Sequence, residues 1–396
     1  MIRAAKVNFQ ASKAVIQKLF ELNCLSANVY NDCLEISKEY HKTTGKWIGK
    51  TDLQKATKGQ YPMHSQSIQA VCHKYVWARD SIHKAKKQGI KTARYPYRKK
   101  KHFNTKWAKD GFTLHDNGRI EFSLGIWNRK RQQPLCVKVA HLPQGTIKEI
   151  ELIYDRKLML AITYEDGKDS QFHEGKQVAA IDQGEIHAIA SVCENGNSMV
   201  ITGRKLRSIH RLRNKKLAEL QRMLSKCQKG SRQWKRYNRA KQYVLSKSEA
   251  QLKDGLHKIS KNFVDWCIEN HVKEVVIGQL DGVQRYTGKK AKTKKKRRTR
   301  LHNQKMSQWS FGKIQNYLQY KLAAHSVVLT EGDESFTTQT CPVCGKKKKC
   351  SSRMYACSCG YRRHRDVHGG SNFLSKHLYG DFRYIEVDEI KYLRIA

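Results

Sequence analysis

The chain predicts a multidomain protein of mixed α/β and α+β class. It pairs a β-barrel carrying a helical insertion with an RNase H-like domain that itself carries a zinc-binding insertion. Three observations predict this. Short alternating segments stand at residues 1–10 and again across 94–170, with helical periodicity between them. From Gln177 onward the order is three meandering strands, helix, strand, helix, strand, which is the RNase H-like order. Near residue 350 two close cysteine pairs interrupt that order.

Ile2, Ala4, Val7 and Phe9 alternate as a single strand would. Ile16, Leu19, Phe20, Asn23, Ala27 and Tyr30 fall at helical spacing, as do Ile68, Val71, Tyr75, Ala78 and Ile82, with a polar stretch containing Gly45, Gly59 and Pro62 between them. Phe112–Leu114 and Ile120–Phe122 flank Asp116-Asn117-Gly118, a hairpin turn. Val137–Val139, Ile147–Tyr154 and Leu158–Tyr164 continue the strands. The run Tyr95-Pro-Tyr97-Arg98-Lys99-Lys100-Lys101, extending through Phe103 and Trp107, reads equally as a base-stacking, phosphate-binding surface or as a solvated strand edge.

In the second half, strands are predicted at Val178–Ile181, His187–Cys193 and Ser198–Ile201. Residues 205–268 are helical and broken at Gly230, with Leu252, Leu256, Ile259, Phe263 and Trp266 as the apolar stripe. Val275–Ile277 is the fourth strand, Gln308–Ala324 a helix and Val327–Leu329 the fifth strand. In this topology strands one, four and five run parallel and their C-terminal ends share one sheet edge, where ligands and metals sit in open α/β sheets.

Lys and Arg outnumber Asp and Glu 78 to 34 over 396 residues, a net charge of +44. An excess so large and so widely spread points to a long polyanion as partner, with many phosphate contacts. There is no apolar leader and no 18-residue apolar run, so an intracellular chain outside the membrane is expected. Cys24, Cys33, Cys72, Cys136, Cys193, Cys227 and Cys267 stand singly in apolar segments and read as small hydrophobes in a reducing compartment.

The other cysteines behave differently. Cys341-Pro-Val-Cys344 and Cys357-Ser-Cys359 are separated by 12 residues, and 5 of the chain's 12 cysteines fall within 19 positions. Each short turn lets two sulfurs point at a common centre, the spacing of a structural Zn²⁺ site, with Cys350 left outside. On the sheet edge, Asp182 follows the first strand directly in Ile181-Asp182-Gln183-Gly184. A phosphodiester nuclease needs three or four carboxylates at such an edge to hold two Mg²⁺ ions roughly 4 Å apart.

Nearly the whole chain resembles TnpB, the transposon-encoded RNA-guided nuclease family related to type V CRISPR effectors and Fanzor proteins. The resemblance rests on Ile181-Asp182-Gln183-Gly184-Glu185-Ile186-His187, on Thr338-Gln339-Thr340-Cys341-Pro-Val-Cys344-Gly345, and on Cys357-Ser-Cys359-Gly360 ahead of His364-Arg365-Asp366. It implies a wedge barrel (1–10 and 94–175), a recognition lobe (11–93), a RuvC nuclease domain (176–334 and 362–396) and a zinc-containing target-nucleic-acid-binding insertion (335–361). It also implies a guide RNA derived from the transposon end, double-stranded DNA as target, and Asp182 and Asp366 as the first and last catalytic aspartates. Guide pairing would read sequence, while the protein reads duplex shape and a short adjacent motif. A monomer is expected, with no membrane partner, and in a prokaryote a cytoplasmic, nucleoid-associated location.

Two positions depart from the family pattern. Where a glutamate usually ends the fourth strand, this chain reads Val275-Val276-Ile277-Gly278-Gln279-Leu280. Either the nuclease is inactive and persists as an RNA-guided DNA-binding repressor, or another carboxylate has taken over, as in Fanzor-like and some TnpB members. Glu334, just past the fifth strand, is favoured. That strand lies about 9.5 Å from the first at ~4.8 Å per step, and a loop can fold back over the gap. Glu331, Asp333, Glu185 and Asp281 are the competitors. The last motif reads Asp366-Val-His368-Gly369-Gly370-Ser-Asn372 in place of Asn and two alanines; its small residues allow close helix packing, and His368 reads as a phosphate contact or as a structural or solvent-facing residue.

Residues 289–300 carry nine basic residues of twelve, among them Lys294, Lys295, Lys296, Arg297 and Arg298, and read as a loop that orders on nucleic acid. Lys229–Lys241, with Trp234, Lys235 and Tyr237, is a second candidate surface for an RNA–DNA duplex. A strand-joining transposase would need a tyrosine nucleophile or another acidic arrangement.

Overall fold

The computed structural model describes residues 1–169, 174–279 and 300–395. The chain divides into two compact units, Met1–Lys168 and Asp169–Ala396.

The first unit begins with strand β1 (Ile2–Val7) and helix α1 (Lys13–Thr44). Ser12 starts α1 by accepting a hydrogen bond from the Val15 amide, and Gly45, left-handed at φ 70°, ends it. Helices α2 (Lys50–Thr57) and α3 (Ser65–Lys87) follow. The remaining strands are β2 (Thr105–Ala108), β3 (Phe112–Leu114), β4 (Arg119–Phe122), β5 (Ile126–Trp127), β6 (Lys130–Arg131), β7 (Leu135–Lys138), β8 (Thr146–Asp155) and β9 (Lys157–Glu165). They pair as an antiparallel sheet β1-β9-β8-β2, a sheet β3-β4-β7 and the hairpin β5-β6. An isolated bridge, Gln10 to Lys138, links β7 to the segment after β1.

The strands thus form two ladders joined through the paired backbones of Gln10 and Lys138, and a closed barrel is not shown. α1 and α3 bring Leu19, Leu34, Val71 and Tyr75 into one core with Ile120, Phe122, Ile150 and Ile162 of the sheets.

The second unit is built on a six-stranded sheet. Its strands are β10 (Gln177–Asp182), β11 (His187–Cys193), β12 (Ser198–Thr202), β13 (Val272–Gly278), β14 (Val328–Gly332) and, after the ribbon β15 (Met354–Ala356) and β16 (Arg362–His364), β17 (Ile390–Arg394). The order is β14-β13-β10-β11-β12-β17, with β10, β13 and β14 mutually parallel. No strand is expected at β17, which pairs parallel with β12.

β10 shows why these strands read as unbroken apolar runs. Ala179 and Ile181 face one side, with Leu256, Ile259 and Phe263 of α5 (Arg232–Glu269) and Ile314 and Leu318 of α7 (Phe311–Ala323). Val178 and Ala180 face the other, with Val367, Phe373 and Leu374 of α8 (Arg365–Tyr379). Helices α4 (Arg204–Ser225) and α6 (Arg300–Gln308) complete the unit. Among the described residues no helix is long and apolar enough to cross a membrane.

Candidate metal centres at the sheet edge

In the parallel ladders Ile181 stands level with Ile277 and Ile277 with Glu331, so Asp182, Gly278 and the loop after Gly332 share one edge. Desolvation pushes the Asp182 carboxyl up to about 8, and the charges of Glu334 and Asp366 push the same way, while Arg365 opposes them. Glu334 and Asp366 are thus both close enough to act on Asp182.

Gly278 and Glu334 are complementary in shape. A methyl group on Gly278 would fall 1.8 Å from Glu334 Cδ and 1.9 Å from Oε1, so the glutamate fills the space a side chain at 278 would need. Desolvation, with a smaller push from Asp333, takes the Glu334 carboxyl up to about 7 against the opposing Gly278 amide. Its Oε1 is buried with no hydrogen-bond partner.

The competing carboxylates face elsewhere. Glu331 is exposed and accepts from Gln315 Nε2. Asp333 is exposed and pairs with Lys376 Nζ at 2.7 Å. Glu185 pairs with Arg207 Nε at 3.0 Å. Asp281 lies outside the described residues.

Asp366 opens α8, and Gly369 one turn on lets that helix approach the strand: a Cβ there would sit 2.6 Å from Asp182 Oδ2. Its Oδ2 lies 2.5 Å from His187 Nδ1 and 3.6 Å from Arg353 Nη1. Burial raises the Asp366 carboxyl, but the His187 hydrogen bond and the charges of His187, His364 and Arg353 outweigh it and hold the group below its ordinary value. His187 Nε2 meets the Tyr392 hydroxyl at 2.7 Å. Sequence reasoning noted His187 only as part of a motif and missed Tyr392, because the strand that carries it was not foreseen.

The sulfurs of Cys341, Cys344, Cys357 and Cys359 lie within 4.8 Å of one another. The pairs Cys341–Cys359 and Cys344–Cys357 stand 3.6 and 3.5 Å apart, close to the ~3.8 Å separation of thiolates on a tetrahedral zinc. This cluster fits a structural Zn²⁺. Cys350 turns away, its thiol donating to the Ser352 and Met354 carbonyls. The ribbon β15-β16 runs from the cluster to the sheet edge, pairing Met354 with His364.

His368 is wholly buried, stacked on Tyr355 at 3.9 Å and hydrogen-bonded to the Tyr361 hydroxyl, so it is a structural residue and not a phosphate contact. Asn372 Nδ2 donates to the Thr337 and Thr340 carbonyls and ties α8 to the loop before Cys341.

Of the basic candidates, Tyr97, Arg98, Lys99, Lys100 and Lys101 are exposed on irregular chain, with Lys99 paired to Glu35 and the Lys100 amide donating to Asn31. Trp107 corrects the base-stacking reading: it is buried, stacked on Phe122 at 4.4 Å, and donates to the Ser123 carbonyl. Phe103 likewise packs on Tyr30. Trp234 is half-buried in the first turn of α5 and Lys235 is exposed. Lys294, Lys295, Lys296, Arg297 and Arg298 lie outside the described residues.

Strand order, carboxyl-rich edge and four-cysteine insertion together define the class, an RNase H-like domain with a cysteine-rich insertion. Comparison with known proteins narrows it. Residues 161–284 match the family described as probable transposase, OrfB_IS605, and residues 311–373 match the Cas12f1-like TNB domain. The TnpB-like protein MJ0751 of Methanocaldococcus jannaschii is 26% identical over 208 residues, which are 51% of this chain and 69% of that protein. The chain is thus similar to TnpB-like, transposase-related proteins over these segments. The fold is similar to that of the protein in a Cas12f1–sgRNA–target DNA complex, with TM-score 0.62 and 14% identity over 91% of this chain and 82% of that one. It is also similar to the mini-RNA-guided endonuclease CRISPR-Cas phi3, with TM-score 0.53 and 10% identity over 98% and 94% of the two chains.

Proposed function

We propose that this chain is a transposon-encoded, RNA-guided DNA endonuclease of RuvC type. A guide RNA and a short adjacent DNA motif would select the double-stranded target, and Asp182, Glu334 and Asp366 would cleave it. The observation that carries the reading is Glu334 seated in the space left by Gly278, with its charge felt at Asp182. A site losing its function has no need of that complementarity.

The donor set suits hard divalent ions. It consists of carboxylate oxygens, one of them, Glu334 Oε1, buried without a partner. When bound, such ions supply activation of a water and stabilisation of the leaving oxygen. The chain's own groups do the positioning: Gly369 brings α8 against Asp182, and His187 and Arg353 fix the Asp366 carboxylate. The +44 charge supplies the sequence-independent hold on nucleic acid.

The test uses the chain purified with its own RNA and a matched target beside the correct motif. Asp182→Ala and Asp366→Ala should each remove cleavage while guided DNA binding persists, since those carboxyls act on the scissile phosphate alone. If the unmutated chain binds that target and never cuts it with Mg²⁺ or Mn²⁺, it is an RNA-guided binding protein instead.

A further inference from the structure

Beside Asp182 and Glu334, Asp366 also belongs to a group of side chains that could hold an ion. One atom each from His187, His364 and Asp366 lies within 4.8 Å of the others, and the two imidazole rings are 5.2 Å apart. We propose that these three residues hold a divalent transition ion, so that the edge of this chain is a mixed site, with oxygen donors at Asp182 and Glu334 and imidazole donors at the Asp366 end. The proposal rests on the reading of Asp366 as a metal ligand and adds nitrogen ligands to it.

Three features argue for ligation beyond the orienting of Asp366. His364 Nδ1 is buried with no hydrogen-bond partner, as a ligand nitrogen is before its ion arrives. His187 is buried, and its Nε2 is occupied by the Tyr392 hydroxyl, which fixes the ring and leaves Nδ1 as the ligating atom; ligating histidines are ordinarily oriented through their second nitrogen in this way. His364 is also held from behind, because it ends β16, pairs with Met354 and caps α8, so the ribbon from the cysteine cluster fixes its backbone.

Metal–ligand bonds of about 2.0–2.2 Å separate neighbouring ligand atoms by roughly 3 Å. The His187–Asp366 contact of 2.5 Å would open slightly and the 4.8 Å span would close. Arg353, 3.6 Å from the same Asp366 oxygen, has a half-exposed side chain and can swing into solvent when a cation takes its place.

The donor chemistry sets the ion. Mg²⁺ takes oxygen ligands in a near-ideal octahedron, whereas imidazole nitrogen suits first-row transition ions. Mn²⁺ is the probe of choice, because thiolates hold zinc far more tightly and the cysteine cluster stays loaded.

The experiment uses the untagged, zinc-loaded chain with its RNA. Pulsed EPR of added Mn²⁺ should show coupling to imidazole ¹⁴N. His364→Ala should reduce that coupling and weaken Mn²⁺ binding by about tenfold or more. His364→Gln keeps a polar side chain at the α8 cap and should lose the coupling equally, with an unchanged melting temperature showing that the fold survives. Mn²⁺ bound without nitrogen coupling, or coupling unchanged in both variants, overturns the proposal. Cleavage with Mg²⁺ alongside nitrogen-free Mn²⁺ would leave the endonuclease reading standing without this site. Nitrogen coupling in a chain that never cuts would leave the site and remove the endonuclease.

Discussion

β10 and β13 are neighbouring parallel strands that end at the same edge, yet they serve it in opposite ways. β10 ends in Asp182 and delivers its own carboxylate; β13 ends in Gly278 and delivers space. Into that space comes Glu334, from a loop after a third strand, its Cδ 1.8 Å from where a Cβ at 278 would stand. A carboxylate at a metal site is defined by where its oxygens arrive and not by which strand carries it. A long side chain from a neighbouring loop can replace one from the strand end, provided the strand end is emptied.

Under the proposed function the two positions are conditional on each other. Glu334→Ala should lower cleavage roughly 10³-fold, the order expected when several kcal/mol of charge stabilisation at a metal site are lost. Restoring a carboxylate from the strand side, Gly278→Glu in the Glu334→Ala background, should recover part of the rate, and Gly278→Glu alone should not raise it, because both side chains claim one space. Cleavage by Glu334→Ala at the unmutated rate breaks the comparison; loss in a Glu331→Ala, Asp333→Ala or Glu185→Ala chain instead would move the exchange to another residue.

Gly278→Ala is a subtler probe. The new methyl meets the far end of a flexible side chain, which can rotate away, so the fold should lose no more than about 1 kcal/mol. The rate should nevertheless fall about 10²-fold, because a catalytic group displaced by an ångström costs that much. Cleavage assays beside thermal melting separate the two. A variant that melts normally and cuts normally would show that Glu334 does not need its present position.

What was legible from sequence follows the same division between local and distant causes. The cysteine cluster is local, two pairs each closed by its own turn, and its spacing carries the reading. The place of Asp182 at the end of β10 was legible because an apolar strand runs straight into it. Glu334 could be reached only by noticing what Gly278 lacks and counting strands across the sheet. The roles of His187 and Tyr392 were not legible. Their contact joins residues 205 apart through β17, a short strand with exposed Ile390 and Tyr392 and a basic sequence that gives no strand signal. Trp107 was misread because an aromatic next to lysines looks the same from sequence whether it stacks on a base or on Phe122. α2 was overlooked because eight mostly polar residues carry too little periodicity to be seen.

The smallest effect compares the two carboxylates themselves. Ordinary values near 3.9 and 4.3 describe them in the unfolded chain. In the folded chain without divalent ions, desolvation and then neighbouring charge take Asp182 to about 8 and Glu334 to about 7. Between those limits the folded state holds protons that the unfolded state has released, so stability falls as pH rises. The contribution is fully present below about pH 4 and lost as pH passes through 7 to 8. A bound divalent ion replaces the protons and releases them, so it stabilises more at pH 8 than at pH 6. Melting the RNA-bound chain at both pH values, with and without Mg²⁺, should therefore give the larger upward shift at pH 8, by a few degrees at about 2–4 °C per kcal/mol for a unit of this size. Asp182→Asn should flatten the metal-free pH dependence more than Glu334→Gln, since its carboxyl is pushed further and feels both neighbours. Equal Mg²⁺ shifts at the two pH values would mean that the edge carries no retained protons. Equal flattening by the two variants would mean that strand-borne and loop-borne carboxylates are the same to the ion, and the distinction between the ends of β10 and β13 would be one of history alone.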